Sequence, residues 1–377
     1  MIWGVFMSKI RKNPFDRSFS SVPESYVETS SINTALINIE SGPEADAYFI
    51  TGIRGSGKTV TMKMLADKLV TDENLDFQFK RVPLLNTDSI IESLFNQLYN
   101  MFHRYRKDIK QISVSFPEVF SASVTFEDRG PIIYQQVILD MLRRLQRRNI
   151  HIVVTIDEVD GGRAIADFAQ LFNLIKTERL PMVVLMTGLP EVINKIRNRK
   201  NLTFLYRANR IFTDSLDLSL MVDQYTKWLN CSFDLAVVLA KLTKGYPYAF
   251  QLFGYYLFQK MFILNNGISI QLNRTLVNAI VEKVKLDLFN NSYSKVYEEL
   301  PRQERFYLEF VDGKTHLTDL ARKMNWTLSQ CSRYRDILLK KHLILSKSYG
   351  VVDFALPYFH EYINSLNNQS GWLDLLD

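Results

Sequence analysis

Apolar and polar positions follow two rhythms along this chain, and each change of rhythm marks an element. "DAYFITG" (46–52) is a short unbroken apolar run, the mark of a strand buried on both faces. Just beyond it, "KTVTMKMLADKLV" (58–70) carries Val60, Met62, Met64, Leu65, Leu69 and Val70 at helical spacing. The alternation then repeats. "FKRVPLLN" (79–86) reads as a strand, 89–107 as a helix, and 132–149 as a helix leading into the apolar run "IHIVVTIDEVD" (150–160). A helix over 164–177 precedes "LPMVVLMTGLPEVI" (180–193), a buried strand opening into a turn and helix, and "RIFTDSLDL" (210–218) offers one more strand. Strands alternating with helices predict a parallel sheet covered on both faces. Between them, "QISVSFPEVFSASVTF" (111–126) has period two and predicts an inserted hairpin.

From Ser219 to about Asn290 the pattern turns wholly helical. From about Ser294 comes a compact unit: a helix at 302–311, a helix in "HLTDLARKM", a turn at Asn325-Trp326, and a third helix in "TLSQCSRYRDILLKK". "HLILSKSYGVVDFAL" then alternates as two strands with Gly350 near the turn. Helix, helix-turn-helix and hairpin make a winged helix-turn-helix pattern.

A chain of 377 residues exceeds the size at which one core stops growing, so more than one domain is expected. Apolar content of 47% and charged content of 23% exclude a disordered or membrane-embedded chain, and no run approaches the roughly 18 apolar residues of a span. Cys231 and Cys331 are the only cysteines. They cannot make a disulfide framework or a zinc site alone, which suits a reducing compartment. The opening "MIWGVFMSKIRKNPF" lacks the basic segment and long apolar core of a signal peptide, and Met7 reads as an alternative start. A cytoplasmic location is expected. The net charge of +6 is compatible with nucleic acid without demanding it.

The junction of the first strand and helix carries the chemistry. "GIRGSGKT" fits G-x-x-x-x-G-K-[ST], the phosphate-binding loop pattern. Main-chain N–H groups at a helix N-terminus suit polyphosphate oxygens. Gly52, Arg54, Gly55, Ser56, Gly57, Lys58, Thr59 and Val60 are therefore the candidate contacts with ATP. Gly55 and Gly57 let the main chain curl inwards, Lys58 neutralises the β- and γ-phosphates, and Thr59 offers its hydroxyl to Mg²⁺. A bare tight turn is the bland alternative; the strand-to-helix context argues against it.

About 100 residues later, "VVTIDEVD" ends an apolar strand in acids. Asp157 is placed to hold Mg²⁺ through its water shell, and Glu158 to polarise the attacking water as general base. Taken alone, adjacent acids at a strand end are a solvated turn, and Asp160 has no assigned role. Thr187, in "VVLMTGLP", can reach a γ-phosphate or the lytic water, or merely end a strand in a Thr-Gly turn. Arg207 and Arg210 lie in "FLYRANRIF". Such an arginine stabilises charge during phosphoryl transfer when a neighbouring subunit supplies it, and is otherwise an ordinary surface arginine. In "LTKGYPYAFQLFGYYLF", Gly245-Tyr246-Pro247 shape a bend, with aromatics suited to an adenine pocket or to a plain aromatic core.

Together, "NPFDRSFSSVPESYV", "ITGIRGSGKTV", "VVTIDEVD", "VVLMTGLPEVI", "RANRIF" and "LTKGYPYAFQLFGYYL" resemble the AAA+ ATPases of the origin-recognition and initiator-like kind, and the related STAND NTPases. The resemblance covers residues 13 to about 290. It implies an α/β P-loop NTPase parallel sheet of the AAA+ type with an all-helical lid, followed by the winged helix-turn-helix. The expected domains are 1–218, 219–290 and 291–377. Lys58 and Thr59 would be the Walker A pair, Asp157 and Glu158 Walker B, Thr187 sensor 1, and Arg210 the finger. Gly245-Tyr246-Pro247 would be the lid motif whose proline approaches the base, and Val22 and Pro23 fall where such chains cover adenine. Relatives follow that segment with a Gly-Arg pair, where this chain has "YVETSSI", and the lid offers Lys244 in place of a sensor-2 arginine.

In the C-terminal unit the charge is local. Between Lys314 and Lys347, the basic Lys314, Arg322, Lys323, Arg333, Arg335, Lys340, Lys341 and Lys347 face only Asp319 and Asp336. Arg333, Arg335, Lys340 and Lys347 fall where a winged helix contacts double-stranded DNA. Basic clusters at 103–107, 143–148 and 197–200 could track backbone phosphates in an assembly, or be solvated helix ends. The expectation is a Mg-dependent ATPase, slow in turnover, acting as a nucleotide-driven switch that binds DNA and assembles with itself. Its rivals are a STAND-like signalling or defence switch whose winged helix makes protein contacts, and a nucleotide-stabilised DNA-binding protein with negligible turnover.

Overall fold

A computed structural model describes residues 12–18, 21–42, 44–87, 89–104, 134–190, 192–193, 208–213, 215–264 and 271–373. The hairpin expected at 111–126, Arg207, the cluster at 197–200 and both candidate start methionines lie outside them. The chain divides into two compact units, one holding 30–51 and 61–212, the other 1–29, 52–60 and 213–377.

The first unit is built on a sheet of five strands: β1 (Asp46–Thr51), β2 (Gln78–Leu84), β3 (Ile150–Ile156), β4 (Met182–Gly188) and β5 (Asn209–Phe212). Their order is β2-β3-β4-β1-β5 and every pairing is parallel. All seven residues of β4 are buried, which accounts for its continuous apolar run: it has a strand on each edge and both of its faces are covered. The register sets Ile50 against Thr187 and Ile156 against Met186. The carboxyl ends of β1, β3 and β4 therefore share one edge, the side on which open α/β sheets bind ligands.

Among the described residues, five helices belong with this sheet: α1 (Ser30–Ser41), α2 (Lys58–Thr71), α3 (Ile90–Arg104), α4 (Tyr134–Gln146) and α5 (Arg163–Thr177). The apolar faces of α3, α4 and α5 close a core that includes Leu94, Leu98, Ile138, Leu142, Phe168 and Phe172. Helix α1 was not foreseen, although Ile32, Ala35, Leu36 and Ile39 have the helical spacing and are buried. Strand β5 stops at Phe212, far short of the expected 218. Asp217 explains the difference, because its carboxylate accepts from Ser219 N at 2.8 Å and Leu220 N at 3.3 Å. It thereby starts a helix where alternation suggested a strand.

The second unit opens with α6 (Leu218–Leu229), α7 (Phe233–Leu242), α8 (Pro247–Leu264) and α9 (Arg274–Leu288), the helical stretch expected as a lid. A π-helical turn (Phe289–Tyr293) and α10 (Ser294–Glu298) lead on to α11 (Arg302–Glu309), β6 (Thr315–His316), α12 (Leu317–Lys323) and α13 (Leu328–Lys340). Strands β7 (Ile344–Ser348) and β8 (Val351–Phe354) and helix α14 (Phe359–Leu373) complete it. The small sheet has antiparallel order β6-β8-β7, so the hairpin gains a short third strand that the sequence reading lacked. Helix α13 begins with a capping box: Gln330 N donates to Thr327 Oγ1 and Thr327 N donates to Gln330 Oε1. This is the winged helix-turn-helix pattern. One apolar core runs without a break from α6 through α9 into α11–α14. The N-terminal segment joins it through Phe15, whose ring lies 5.9 Å from Tyr225 and 5.8 Å from Phe250. Burying such a ring contributes about 1.5–3 kcal/mol.

The fold is thus a five-stranded parallel α/β sheet with its helices, followed in the chain by a helical stretch and a winged helix-turn-helix arrangement. Among the described residues, no helix is long and apolar enough to cross a membrane.

Candidate nucleotide-binding site

The loop between Thr51 and Lys58 belongs to the second unit, and its shape follows from its glycines. Gly55 has φ +76° and Gly57 φ +86°, left-handed values that other residues adopt at a cost. The first turn closes through Ser56 N to Ile53 O at 3.2 Å, reinforced by Ser56 Oγ to the same carbonyl at 2.8 Å. Ser56 Oγ also lies 2.5 Å from Thr213 Oγ1, and a Cβ at Gly52 would sit only 2.1 Å from that Thr213 oxygen. Lys58, the first residue of α2, folds its ammonium back to donate to Gly52 O at 3.0 Å and Ile53 O at 2.8 Å. Thr59 and Val60 follow on the first turn, both half-buried.

Residues from the helical stretch close around this loop. The Tyr246 hydroxyl donates to the Arg54 carbonyl at 2.7 Å and lies 2.8 Å from Ser292 Oγ. The Arg54 guanidinium pairs with Glu299 at 3.3 Å. Burial pushes the Tyr246 phenol far above the ordinary tyrosine range. The Tyr248 phenol is pushed up to about 12, again by burial. Pro247 lies beside Gly57: a Cβ there would be 4.0 Å from Pro247 Cβ. A cavity of about 150 Å³ opens next to the loop. Its walls are Ile53 and Ser56, then Thr213, Ser215, Lys244, Tyr246 and Pro247, then His342, Ile344, Leu345, Ala355 and Leu356. Lys244 donates to Phe354 O at 2.9 Å and lies 3.7 Å from Asp353, so the lysine offered for sensor 2 is engaged with β8. Val22 and Pro23 are half-buried, and Pro23 O accepts from Tyr26 N at 3.0 Å.

The acid pair belongs to the sheet unit. Asp157 is half-buried, and the fully buried Thr187 hydroxyl donates to its carboxylate. That same hydroxyl accepts from Glu158 N at 2.8 Å, and Val159 N donates to Thr187 O at 2.8 Å. The tip of β4 thus fixes both acids. Glu158 is exposed with φ +53°, a strained geometry for a non-glycine residue of the kind that gathers at functional sites. Asn86, which the sequence reading missed, donates to Glu158 O at 3.0 Å. Asp160, left without a role, accepts from Gly162 N at 2.8 Å and shapes the turn before α5. Arg210 is half-buried in β5, opposite Phe49 of β1.

Among the described residues no group of three or more His, Cys, Asp or Glu could cage a metal.

In the C-terminal unit Arg333 and Lys340 are exposed on α13, while Arg335 is half-buried and bonded to Asp336 at 2.7 Å. The side chain of Lys347 lies outside the described residues. In the cluster at 143–148, Arg143 is already held by Asp140 at 2.5 Å and Glu178 at 2.7 Å.

Residues 33–188 match the family profile described as "Nephrocystin 3, N-terminal", and residues 290–363 match a domain of unknown function, DUF8462. No curated protein matches the chain. Among solved structures, Cdc6p from Pyrobaculum aerophilum is 15% identical over 94% of this chain and 98% of its own, with a TM-score of 0.46. The Aeropyrum pernix ORC2 protein in ADPNP–ADP complexes is 11% identical over 93% and 98%, with a TM-score of 0.47. The Aeropyrum pernix ORC1 protein in complex with DNA is 12% identical over 94% and 96%, with a TM-score of 0.41. These overlaps are loose and decide no residue's role.

Proposed function

We propose that the chain binds ATP with Mg²⁺ and hydrolyses it slowly, using nucleotide state as a switch. The observation that carries this is the loop itself: two left-handed glycines, an inward-folded Lys58 and a helix N-terminus, at the carboxyl end of a central parallel strand. Amides from Gly55 to Val60 would cup the phosphates, Lys58 would exchange its loop carbonyls for phosphate oxygens, and Pro247 would border the base. Bound magnesium would supply charge neutralisation to the phosphates, with Thr59 and Asp157 as its protein ligands. Glu158 would take the proton of the attacking water, oriented by the Thr187 hydroxyl that already holds its main chain. Arg210 would act only if a neighbouring copy presents it to the site.

The winged helix would read DNA through Arg333 and Lys340, with Arg335 released from Asp336. A second reading has its own support. The cavity beside the loop takes part of its wall from the β7–β8 hairpin, and Lys244 is bonded to β8. That favours a STAND-like switch in which the winged helix closes over bound nucleotide and makes protein contacts. ATPase rate measured with and without double-stranded DNA separates the two. Stimulation by DNA supports the first. A rate indifferent to DNA, with ADP retained through purification, supports the second.

A further inference from the structure

The main chain of the phosphate loop is tied to one particular stretch of the C-terminal half. Tyr246 is buried, and its hydroxyl contacts both the Arg54 carbonyl at 2.7 Å and Ser292 Oγ at 2.8 Å. A neutral phenol has a single proton. With that proton on the carbonyl, the Ser292 hydroxyl must donate in the second bond. Burial keeps the phenol neutral, so the donor persists across the physiological range. The Arg54 carbonyl and the Gly55 N–H belong to one trans peptide and point in opposite directions. Fixing the carbonyl outward on Tyr246 therefore aims the Gly55 N–H the other way, into the curl of the loop.

Ser292 is fully buried and sits in the π-helical turn, a geometry frequent at functional positions. Its neighbours reach both ways. Asn291 Nδ2 donates to Tyr248 OH at 3.3 Å, towards the loop, and Tyr293 OH donates to Pro357 O at 2.6 Å, just beyond β8. The Arg54–Glu299 pair adds a parallel tie.

The geometry points to Tyr246 and Ser292 as positioning residues that hold the Arg54–Gly55 peptide in the orientation a phosphate needs, and to the π-helical turn as the element through which loop occupancy reaches the winged helix. This rests on the loop being a nucleotide site. A phosphate pulling on the Gly55 N–H stiffens that peptide, and the hydroxyl pair carries the constraint into 289–299.

The test uses the full chain with ADP and a non-hydrolysable ATP analogue, read by titration calorimetry and by hydrogen exchange at 289–299. Tyr246→Phe and Ser292→Ala should each weaken binding about tenfold. The double variant should lose no more than either, because both cut the same link. Nucleotide should slow exchange at 289–299 in the wild type and not in the variants. Variants that bind like wild type, losses that add, or exchange at 289–299 indifferent to nucleotide overturn the inference while leaving the loop assignment standing. A wild type that binds neither nucleotide overturns the loop assignment and this inference with it.

Discussion

In the loop of residues 52–58, the groups proposed to meet a phosphate are main-chain amides, and side chains hold that main chain in place. Tyr246, Thr213, Ser56 and Glu299 all bond to the loop or to each other around it. At the tip of β3 the arrangement is reversed. There the side chains are the candidate ligands: Glu158 is exposed, the half-buried Asp157 carboxylate accepts from Thr187, and the main chain under Glu158 is held left-handed by Thr187, Asn86 and Val159. The difference matches the tasks that the proposed function assigns to the two regions. A polyphosphate needs many weak donors in a fixed curve, which only the backbone supplies densely enough. A metal ion and a water need one or two strong acceptors, which side chains supply.

Each half of that contrast can be broken separately. The largest effect is expected from Glu158→Gln, which should retain ATP and lower turnover by about 10²–10⁴-fold. Single-turnover assays check it, and full activity would remove Glu158 from the mechanism. Lys58→Ala should weaken triphosphate binding by about 100-fold, from the loss of charge-assisted bonds to phosphate. Calorimetry giving an unchanged affinity would overturn the loop assignment. Gly55→Ala acts on the loop's support, since its Cβ would lie 2.0 Å from the Tyr246 oxygen at φ +76°. A loss of about 1–3 kcal/mol in denaturant stability is expected, smaller in a Tyr246→Phe background. Equal losses in both backgrounds would show that Tyr246 does not fill that space.

The smallest effect sharpens the comparison through pH. The folded Tyr248 phenol titrates at about 12, above the unfolded value near 10. Its contribution to stability is full below about pH 10 and is lost as pH rises through about 12. Urea midpoints should therefore fall between pH 9 and 11, and Tyr248→Phe should reduce the fall. A pH response identical in that variant would assign the loss to other groups.

The sheet was easily legible. Runs such as "IHIVVTI" and "MVVLMTG" are short, apolar and β-branched and lie between helical stretches, which favours buried strands, and β3 and β4 fall within the stretches read as strands. The loop was legible for a similar reason, because its glycines, lysine and threonine are contiguous. Helix α1 carried a readable helical spacing in Ile32, Ala35, Leu36 and Ile39 that the sequence reading missed. Strand β5 was read too long because alternation cannot see an N-cap such as Asp217.

What the sequence determined by itself was whatever depends on neighbours along the chain: periodicity, the phosphate-loop spacing, the acid pair after an apolar strand. The tertiary structure alone decided which distant side chains support them. Thr187 lies 30 residues from Asp157 and Ser292 lies 46 from Tyr246, yet each pair is joined by hydroxyl contacts. Such partners leave no local pattern, because a serine that props a tyrosine is spelled the same as a serine that faces water. Only chain folding brings their hydroxyls within bonding distance and, by excluding water, makes those bonds matter.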